Sequence, residues 1–310
     1  MADNGEAGSR GLWRGAGCRG LASMSSLADA GTLSGKVTVV TGASRGAGRG
    51  IAATLGAARA TVYVTGRSVK GQSTTENLPG TIEETAEIVA ACGGIGIPVR
   101  CDHTVDSDVE ELFGRVRREQ GRIDLLVNNA WGGYERHDHQ KFSAPFYEQP
   151  LCHWEGMFTA GVRAALIASR FAAPLMLSQR QGLIINITAW DRDKFLVNVF
   201  YDVAKGAFNR MTYGMARELR PHNIAAIALA PGFMRTERVA RAFESVGNKN
   251  YFNFTESPEY VGRAVVALAA DQKIMDKSGR VLAVGDIADE YAFTDIDGRR
   301  IPAFRMPDQD

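Results

Sequence analysis

The chain has 310 residues, of which 45% are hydrophobic, and its 36 basic and 35 acidic residues leave a net charge of +1 at pH 7. This composition excludes a coiled coil and a chain that is disordered throughout, and it predicts no nucleic-acid partner. Four cysteines without a C-x-x-C pair indicate buried or free thiols in a reducing compartment, so we expect a cytoplasmic location. Arg170 and Pro174 interrupt the longest apolar run, so we expect no membrane span.

Residues 1–35 differ in composition from the rest of the chain. Six glycines fall within the first twenty positions, and no apolar periodicity accompanies them. We interpret this segment as a disordered extension. Residues 286–310 are interpreted as a C-terminal extension that is a candidate for a subunit interface.

From residue 36 onward, short β-branched runs alternate with stretches of helical periodicity. The predicted strands cover residues 37–40, 61–64, 95–101, 123–127, 183–187, 224–229 and 280–284. The predicted helices cover residues 48–58, 81–92, 107–121, 153–178, 198–219 and 257–270.

Three of these helices have a recognisable start. Thr81-x-x-Glu84 and Ser107-x-x-Glu110 have the pattern of capping boxes, in which the first side chain accepts a backbone N–H and the second returns the bond. Ser257 is followed by proline, the pattern of an N-cap with proline at the first helical position.

Strands that are almost continuously apolar, each followed by a helix, are typical of a parallel sheet covered on both faces. The sequence therefore predicts an α/β fold: a single doubly wound Rossmann-type domain over residues 36–285 with a seven-stranded parallel sheet. Three long connections, 131–150, 189–200 and 230–256, follow the fourth, fifth and sixth strands. They lie at the carboxyl edge of the sheet, where such folds bind ligands.

A glycine-rich turn joins the first strand to the first helix. Glycine allows a tight turn and a close approach to a pyrophosphate, and a helix N-terminus supplies free N–H groups. The turn after Thr41 is therefore predicted to bind a nucleotide, although it could also be only a tight turn. Its candidate binding residues are Gly42, Ser44, Arg45, Gly46, Ala47 and Gly48.

Two arginines favour NADP(H) over NAD(H). Arg45 lies inside the glycine turn, and Arg67 follows the second strand without a carboxylate beside it. A free ribose 2′-OH is usually bound there by an acidic residue, whereas arginine suits a 2′-phosphate. The alternative is that both arginines are solvated surface charges.

Tyr201 and Lys205 are four residues apart in a predicted helix, so they share one face of it. A nearby ammonium favours the phenolate, which brings the pKa of the phenol toward the range of a general acid or base. The pair follows the fifth predicted strand, at the same sheet edge as the glycine turn.

These motifs occur in a recognisable order. Together with Asn128-Asn129-Ala130 and Pro231-Gly232, they resemble the short-chain dehydrogenase/reductase family over residues 36 to about 285. The segments 257–260 and 293–298 further resemble one subgroup of that family.

The resemblance implies a role for each matching residue. Tyr201 donates a proton to a carbonyl oxygen while hydride arrives from nicotinamide, and Lys205 holds the nicotinamide ribose and lowers the pKa of the tyrosine. The other implied contacts are of Gly42, Gly46 and Gly48 with the pyrophosphate, of Asp102 with the adenine, of Asn129 with the ribose, and of Pro231, Gly232 and Thr236 with the nicotinamide.

Two positions depart from the family pattern. Its active-site serine corresponds either to Thr188, which keeps a hydroxyl, or to Ala189, which lacks one; we favour Thr188 as the third catalytic residue. Gly161 stands where the family has an asparagine that relays protons, and it cannot hold a relay water with a side chain.

The long connections are rich in aromatic residues, which favours a bulky, apolar substrate. Trp131, Trp190 and Phe233 are the candidate pocket residues, and the alternative is a small core beneath a lid. His137-x-His139 lacks further ligands at metal-binding spacing, so we interpret both as solvated loop histidines and expect no metal.

The sequence thus predicts an NADP(H)-dependent carbonyl reductase or the reverse alcohol dehydrogenase, acting on a small molecule. The alternatives are a non-catalytic NADP-binding sensor or partner protein, and an epimerase or dehydratase on the same scaffold. A homodimer or homotetramer is expected to pack through small residues of the long helices: Ala164, Ala165, Ala168, Ala172, Ala173, Ala207 and Gly214.

Overall fold

The computed structural model describes residues 32–135, 142–190, 194–245, 250–253 and 255–306. Its strands are β1 Val37–Val40, β2 Thr61–Gly66, β3 Ile95–Arg100, β4 Leu125–Asn128, β5 Gly182–Ile187, β6 Ile224–Ala230 and β7 Val281–Ala283. Its α-helices are Gly46–Ala57, Ile82–Ala91, Asp106–Gln120, Leu151–Met157, Ala164–Gln179, Val199–Leu219, Glu237–Ser245, Pro258–Ala270 and Val284–Glu290.

The seven strands form one parallel sheet in the order β3-β2-β1-β4-β5-β6-β7. β1 pairs with β2 on one side, with Thr38 opposite Val62, and with β4 on the other, with Thr38 opposite Leu125. The strand order reverses at β1, so a crevice opens at the carboxyl ends of β1 and β4. The predicted fold class is confirmed.

Both faces of the sheet are covered, which explains why its strands are continuously apolar. Val40 packs into one hydrophobic cluster and its neighbour Val39 into the other, because successive side chains of a strand point to opposite faces. Burial of each such valine or leucine side chain stabilises the folded state by about 1.5–3 kcal/mol.

The predicted helix starts were partly correct. Thr81 Oγ1 accepts from Glu84 N at 3.2 Å and Thr81 N donates to Glu84 Oε2 at 3.1 Å, so that capping box is confirmed. Ser257 Oγ accepts from Tyr260 N, as an N-cap should. The start at Ser107 was wrong: the helix begins at Asp106 after an N-cap residue that makes no side-chain bond.

The C-terminal part packs on its own domain. The helix Val284–Glu290 crosses the predicted boundary at residue 285. Phe293 and Asp295 are almost fully buried, and Asp295 Oδ2 accepts from Ser257 N at 2.8 Å. Residues 286–306 are therefore part of the domain and not a separate extension.

The N-terminal boundary of the domain also differs from the predicted one at residue 36. Residues 1–31 lie outside the described residues, but Leu33 is 2% exposed and its N donates to Ala58 O at 2.9 Å. The packed domain therefore begins before residue 36. Cys101 is buried and Cys152 exposed, both as free thiols.

A long helical run, Leu151–Gln179, crosses one face of the sheet and contains a π-helical turn, Phe158–Arg163. By length and composition this run could span a membrane, with a mean hydropathy of 1.3. No such candidate was expected from the sequence. Ala172 and Met176 pack into the core beneath the sheet, so the apolar composition is that of a core helix and is weak evidence for a span.

Most of the small residues expected at a subunit contact are used inside the chain. They are no more than 4% exposed, so they are not available to a partner. This correction applies to Ala164, Ala165, Ala168 and Ala172.

Candidate active site

The glycine turn lies against the end of β4. Gly42 and Gly46 have φ of 63° and 54°, in the left-handed region that favours glycine. A Cβ on Gly42 would lie 2.8 Å from Ala130 Cα. Thr41 Oγ1 accepts from the backbone N of both Asn129 and Ala130 at 2.9 Å. The turn is therefore fixed by the Asn-Asn-Ala segment and leaves its outer side open.

A carboxylate occupies the start of the helix that follows the turn. Gly46 N donates to Glu237 Oε2 at 2.8 Å, and Arg49 lies 3.3 Å from the other carboxylate oxygen. The Glu237 side chain is only 6% exposed. An acid at this helix N-terminus shows that the site accepts an anion, as a pyrophosphate site must.

The two arginines predicted to bind a 2′-phosphate already have partners. Arg45 donates to Ser68 Oγ and Thr75 O at 2.8 Å, and its burial lowers its pKa. It is therefore not a solvated surface charge. Arg67 forms an ion pair with Glu135, so a 2′-phosphate would have to compete with that carboxylate.

The end of β3 contributes Asp102 and His103 to the same crevice. Asp102 Oδ1 accepts from the backbone N and the hydroxyl of Thr104. His103 is buried, and its Nε2 lies 2.8 Å from Thr65 Oγ1. Burial lowers the pKa of His103 to about 4, so the imidazole is neutral. His103 belongs to none of the motifs that mark the site in the sequence.

Tyr201 and Lys205 share one face of the helix Val199–Leu219, as predicted from their spacing. Asn198 caps this helix by accepting from Tyr201 N at 2.9 Å. Lys205 is 7% exposed, and its Nζ lies 5.5 Å from the centre of the Tyr201 ring.

The pKa values of the pair are shifted in directions that the spacing did not predict. Burial lowers the pKa of Lys205 to about 7. Burial, followed by the neighbouring Tyr134, raises the pKa of Tyr201 well above its ordinary value. The expected lowering by Lys205 is absent because burial weakens the ammonium itself.

Trp131 and Gly161 fit together beside this pair. Lys205 Nζ lies 3.7 Å from the centre of the Trp131 ring, a cation–π contact. A Cβ on Gly161 would lie 2.7 Å from Trp131 Cε3. Gly161 lies in the π-helical turn, so a larger residue there would displace the indole that holds Lys205. Trp131 both lines the cavity and packs beneath its loop.

The hydroxyl of Thr188 is used within the protein. Thr188 Oγ1 donates to Asn209 Oδ1 at 2.9 Å and lies 3.3 Å from Lys205 O. It thereby attaches the end of β5 to the helix Val199–Leu219. Ala189, the next residue, carries no hydroxyl. The catalytic role of Thr188 stays a prediction.

A second phenol, which the sequence analysis missed, lies beside the first. The rings of Tyr134 and Tyr201 are stacked, with centres 6.5 Å apart and planes at 26°. Phe142 packs on both rings. Tyr134 comes from the long connection after β4, whose path is not determined by residue spacing.

The loop after β6 forms another wall of the same crevice. A Cβ on Gly232 would lie 2.8 Å from Glu256 Oε2, so a side chain there would have to displace that carboxylate. Glu256 is 2% exposed, and burial raises its pKa to about 8. The C-terminal tail also reaches this side, where Lys194 Nζ donates to Met306 O at 2.7 Å.

One cavity of about 590 Å³ brings most of the predicted site residues together. Gly48 and Trp190 are outside its lining; a Cβ on Gly48 would lie 2.5 Å from Asn129 Nδ2, so that glycine serves packing. The predicted residues that line the cavity are Gly42, Ser44, Arg45, Gly46, Ala47, Arg67, Asp102, Asn129, Trp131, Thr188, Tyr201, Lys205, Pro231, Gly232, Phe233 and Thr236.

His137 and His139 lie outside the described residues. Within the described part of the chain, no three His, Cys, Asp or Glu side chains are grouped as a metal site would require.

Known proteins resemble this chain over most of its length. A sequence profile of the family described as short chain dehydrogenase matches residues 36–247. Dehydrogenase/reductase SDR family member 1 of Mus musculus and the protein of the same name of Homo sapiens are each 38% identical over 279 residues, covering 87% of this chain and 86% of each relative. Both represent the subgroup that residues 257–260 and 293–298 resemble.

Solved structures share the fold. A short chain dehydrogenase of Mycobacterium thermoresistibile is 25% identical with a TM-score of 0.74, covering 89% of this chain and 96% of that one. A metagenomic short-chain oxidoreductase in complex with NADP is 28% identical with a TM-score of 0.62, covering 81% of this chain and 97% of that one.

Proposed function

Because this chain belongs to the short-chain dehydrogenase/reductase family, we propose that it is an NADP(H)-dependent oxidoreductase acting on a bulky, apolar carbonyl or alcohol. The observation that carries the proposal is the cavity that Tyr201 and Lys205 line together with the glycine turn. A cavity of this size is in the range of small-molecule sites.

The residues of the cavity fit a dinucleotide. A Cβ on Gly42 would clash with Ala130, so only glycine lets the turn lie this close to the end of β4. The Gly46 N–H already holds a carboxylate as an anion would be held. The NADP form is supported by Arg67 and by the absence of a carboxylate next to it in the sequence after β2. The related oxidoreductase solved with NADP agrees with this choice.

When bound, the nicotinamide supplies or accepts hydride. Tyr201 then donates its phenolic proton to the carbonyl oxygen in reduction, or receives a proton from the alcohol in oxidation. Its raised pKa keeps the phenol protonated at neutral pH, which suits the acid role in reduction. Lys205 contacts the Trp131 ring and lies next to the Tyr201 ring. Its proposed role is to bind the nicotinamide ribose.

The substrate end of the cavity is largely apolar. Its lining includes aromatic and aliphatic side chains from three connections and from the C-terminal tail, which excludes water from a reacting carbonyl. These residues are Trp131, Phe142, Leu196, Phe233, Met234 and Phe304.

The test is the variant Tyr201→Phe, assayed by NADPH oxidation on bulky ketones, aldehydes and dicarbonyls, with NADH in parallel. We expect kcat to fall about 10²–10⁴-fold because the proton donor is lost, while the Kd for NADPH stays unchanged. The matched control is Tyr213→Phe, an exposed phenol on the same helix. Turnover by Tyr201→Phe at the wild-type rate would contradict the mechanism.

A non-catalytic NADP-binding protein is the second candidate. It is favoured by the absence of a hydroxyl at Ala189 and by the internal bond of Thr188. Tight NADPH binding by the wild-type protein without turnover on any substrate would support it. Efficient turnover would exclude it.

We further propose a homodimer or homotetramer in the cytoplasm. The long helices expose Leu166 and Tyr213, which suits contacts between copies better than the buried alanines do. Sedimentation of the purified protein measures the number of copies directly.

A further inference from the structure

The site lacks a hydroxyl donor beside the catalytic phenol at the end of β5. Ala189 has none, and the Thr188 hydroxyl is bonded to Asn209 Oδ1 at 2.9 Å. A carbonyl oxygen that gains negative charge during reduction is stabilised by such a donor. Loss of one donor of this kind costs about 10²–10³ in kcat. Another group must therefore donate a hydrogen bond to the substrate oxygen if kcat is to stay as high as with the serine.

Tyr134 is placed to supply it. Its ring stacks on that of Tyr201 with centres 6.5 Å apart, and both side chains line the same cavity. A phenol both donates and accepts, so the Tyr134 hydroxyl can donate to a substrate oxygen that binds beside Tyr201.

The ring of Tyr134 is held from several sides. Phe142 and Trp131 lie 5.7 Å and 6.1 Å from it between ring centres, and the Arg238 guanidinium lies 5.6 Å from its centre. This packing restricts the ring, so its hydroxyl is directed before the substrate arrives. A donor fixed in advance does not have to reorganise during the reaction.

We propose, on the basis of the function proposed above, that Tyr134 is a further catalytic residue whose hydroxyl donates a hydrogen bond to the substrate oxygen that Tyr201 protonates. In reduction, hydride from NADPH joins the carbonyl carbon, the π electrons of the C=O bond move to oxygen, and the Tyr201 proton bonds to that oxygen. Tyr134 keeps its own proton throughout. It therefore stabilises the charge without taking part in the transfer.

The experiment compares Tyr134→Phe with the wild type on the best substrate of the panel. We expect kcat to fall about 10²-fold, with little change in the Kd for NADPH. Tyr147→Phe is the matched control, because Tyr147 comes from the same connection and is 72% exposed. A wild-type kcat for Tyr134→Phe overturns the inference.

A rescue distinguishes a hydrogen-bond donor from a packing residue. Ala189→Ser restores a hydroxyl at the end of β5. The kcat of the double variant Tyr134→Phe/Ala189→Ser should therefore be at least tenfold higher than that of Tyr134→Phe. A double variant as slow as Tyr134→Phe overturns the assignment of Tyr134 as the replacement donor.

A wild type without turnover overturns the proposed function itself, whereas an active wild type with an unaffected Tyr134→Phe overturns the further inference alone.

Discussion

Glu237 places a negative charge where a cofactor pyrophosphate is proposed to bind. Its carboxylate accepts from Gly46 N and pairs with Arg49, so it uses the same N–H group and the same helix dipole that a phosphate would use. Cofactor binding must displace this carboxylate, and the free energy of that displacement is subtracted from the affinity.

We therefore expect Glu237→Gln to bind NADPH about two- to tenfold more tightly, because the amide competes less well for the helix N-terminus. Fluorescence titration with NADPH measures the change. Glu148→Gln, at an exposed position, is the control and should bind as the wild type does. Weaker binding by Glu237→Gln would mean that the carboxylate supports the cofactor site.

At this scale, spacing predicted which residues meet but not their electrostatics. Tyr201 and Lys205 lie on one helix face as the i, i+4 rule requires. Their pKa shifts come from burial. That burial depends on residues distant in sequence, such as Trp131, which lies 70 positions before Tyr201. Tyr134 and Glu237 were missed because each comes from a long connection without periodicity.

At the scale of elements, a local motif predicted the start of a helix only where no other hydrogen-bonded turn began the helix earlier. Thr81 forms the capping box that its pattern indicates. The Ser107 pattern fails because a turn in which Val105 N donates to Asp102 O starts the helix earlier. The helix Glu237–Ser245 was not predicted, since it is a short element inside a long connection.

The π-helical turn at Gly161 gives a test at this scale. Gly161→Ala should displace the Trp131 indole and cost about 1–3 kcal/mol of the free energy of unfolding, with a lower kcat because Lys205 loses its support. Thermal unfolding and tryptophan fluorescence measure both effects.

The control for that test is Gly214→Ala. Gly214 lies within a helix, and an added Cβ there meets nothing within 4 Å. This variant should be neutral or more stable by about 0.5–1 kcal/mol. Equal behaviour of the two alanine variants would show that Trp131 and Gly161 do not constrain each other.

At the scale of the whole molecule, the fold carries an unfavourable buried charge. A drop in the pKa of Lys205 from 10.5 to about 7 corresponds to about 5 kcal/mol, and the contact with Trp131 returns about 2 kcal/mol. The cofactor-free domain is therefore less stable than its hydrophobic core alone would allow.

Lys205→Met should raise the free energy of unfolding of the cofactor-free protein by about 2–3 kcal/mol while abolishing turnover. The gain should be full below about pH 7 and should shrink as the pH rises toward about 10.5, where the lysine is neutral in both states. Urea unfolding at several pH values measures it. A gain that is independent of pH would assign the effect to packing.

The topology of the whole chain was the most predictable part. Seven apolar runs in alternation with helices predicted a parallel sheet, and the sheet has seven parallel strands. The ends were less predictable, because Leu33 and Phe293 enter the core through contacts with distant residues that no local pattern indicates.

The C-terminal tail has a practical consequence for how the protein is produced. Phe304 and Met306 line the cavity, so a foreign segment joined shortly after Met306 would start at the cavity wall. An affinity tag placed there could alter how the cavity is filled. Kinetic constants measured on such a fusion would describe the tag as well as the enzyme, so the tag should be removable.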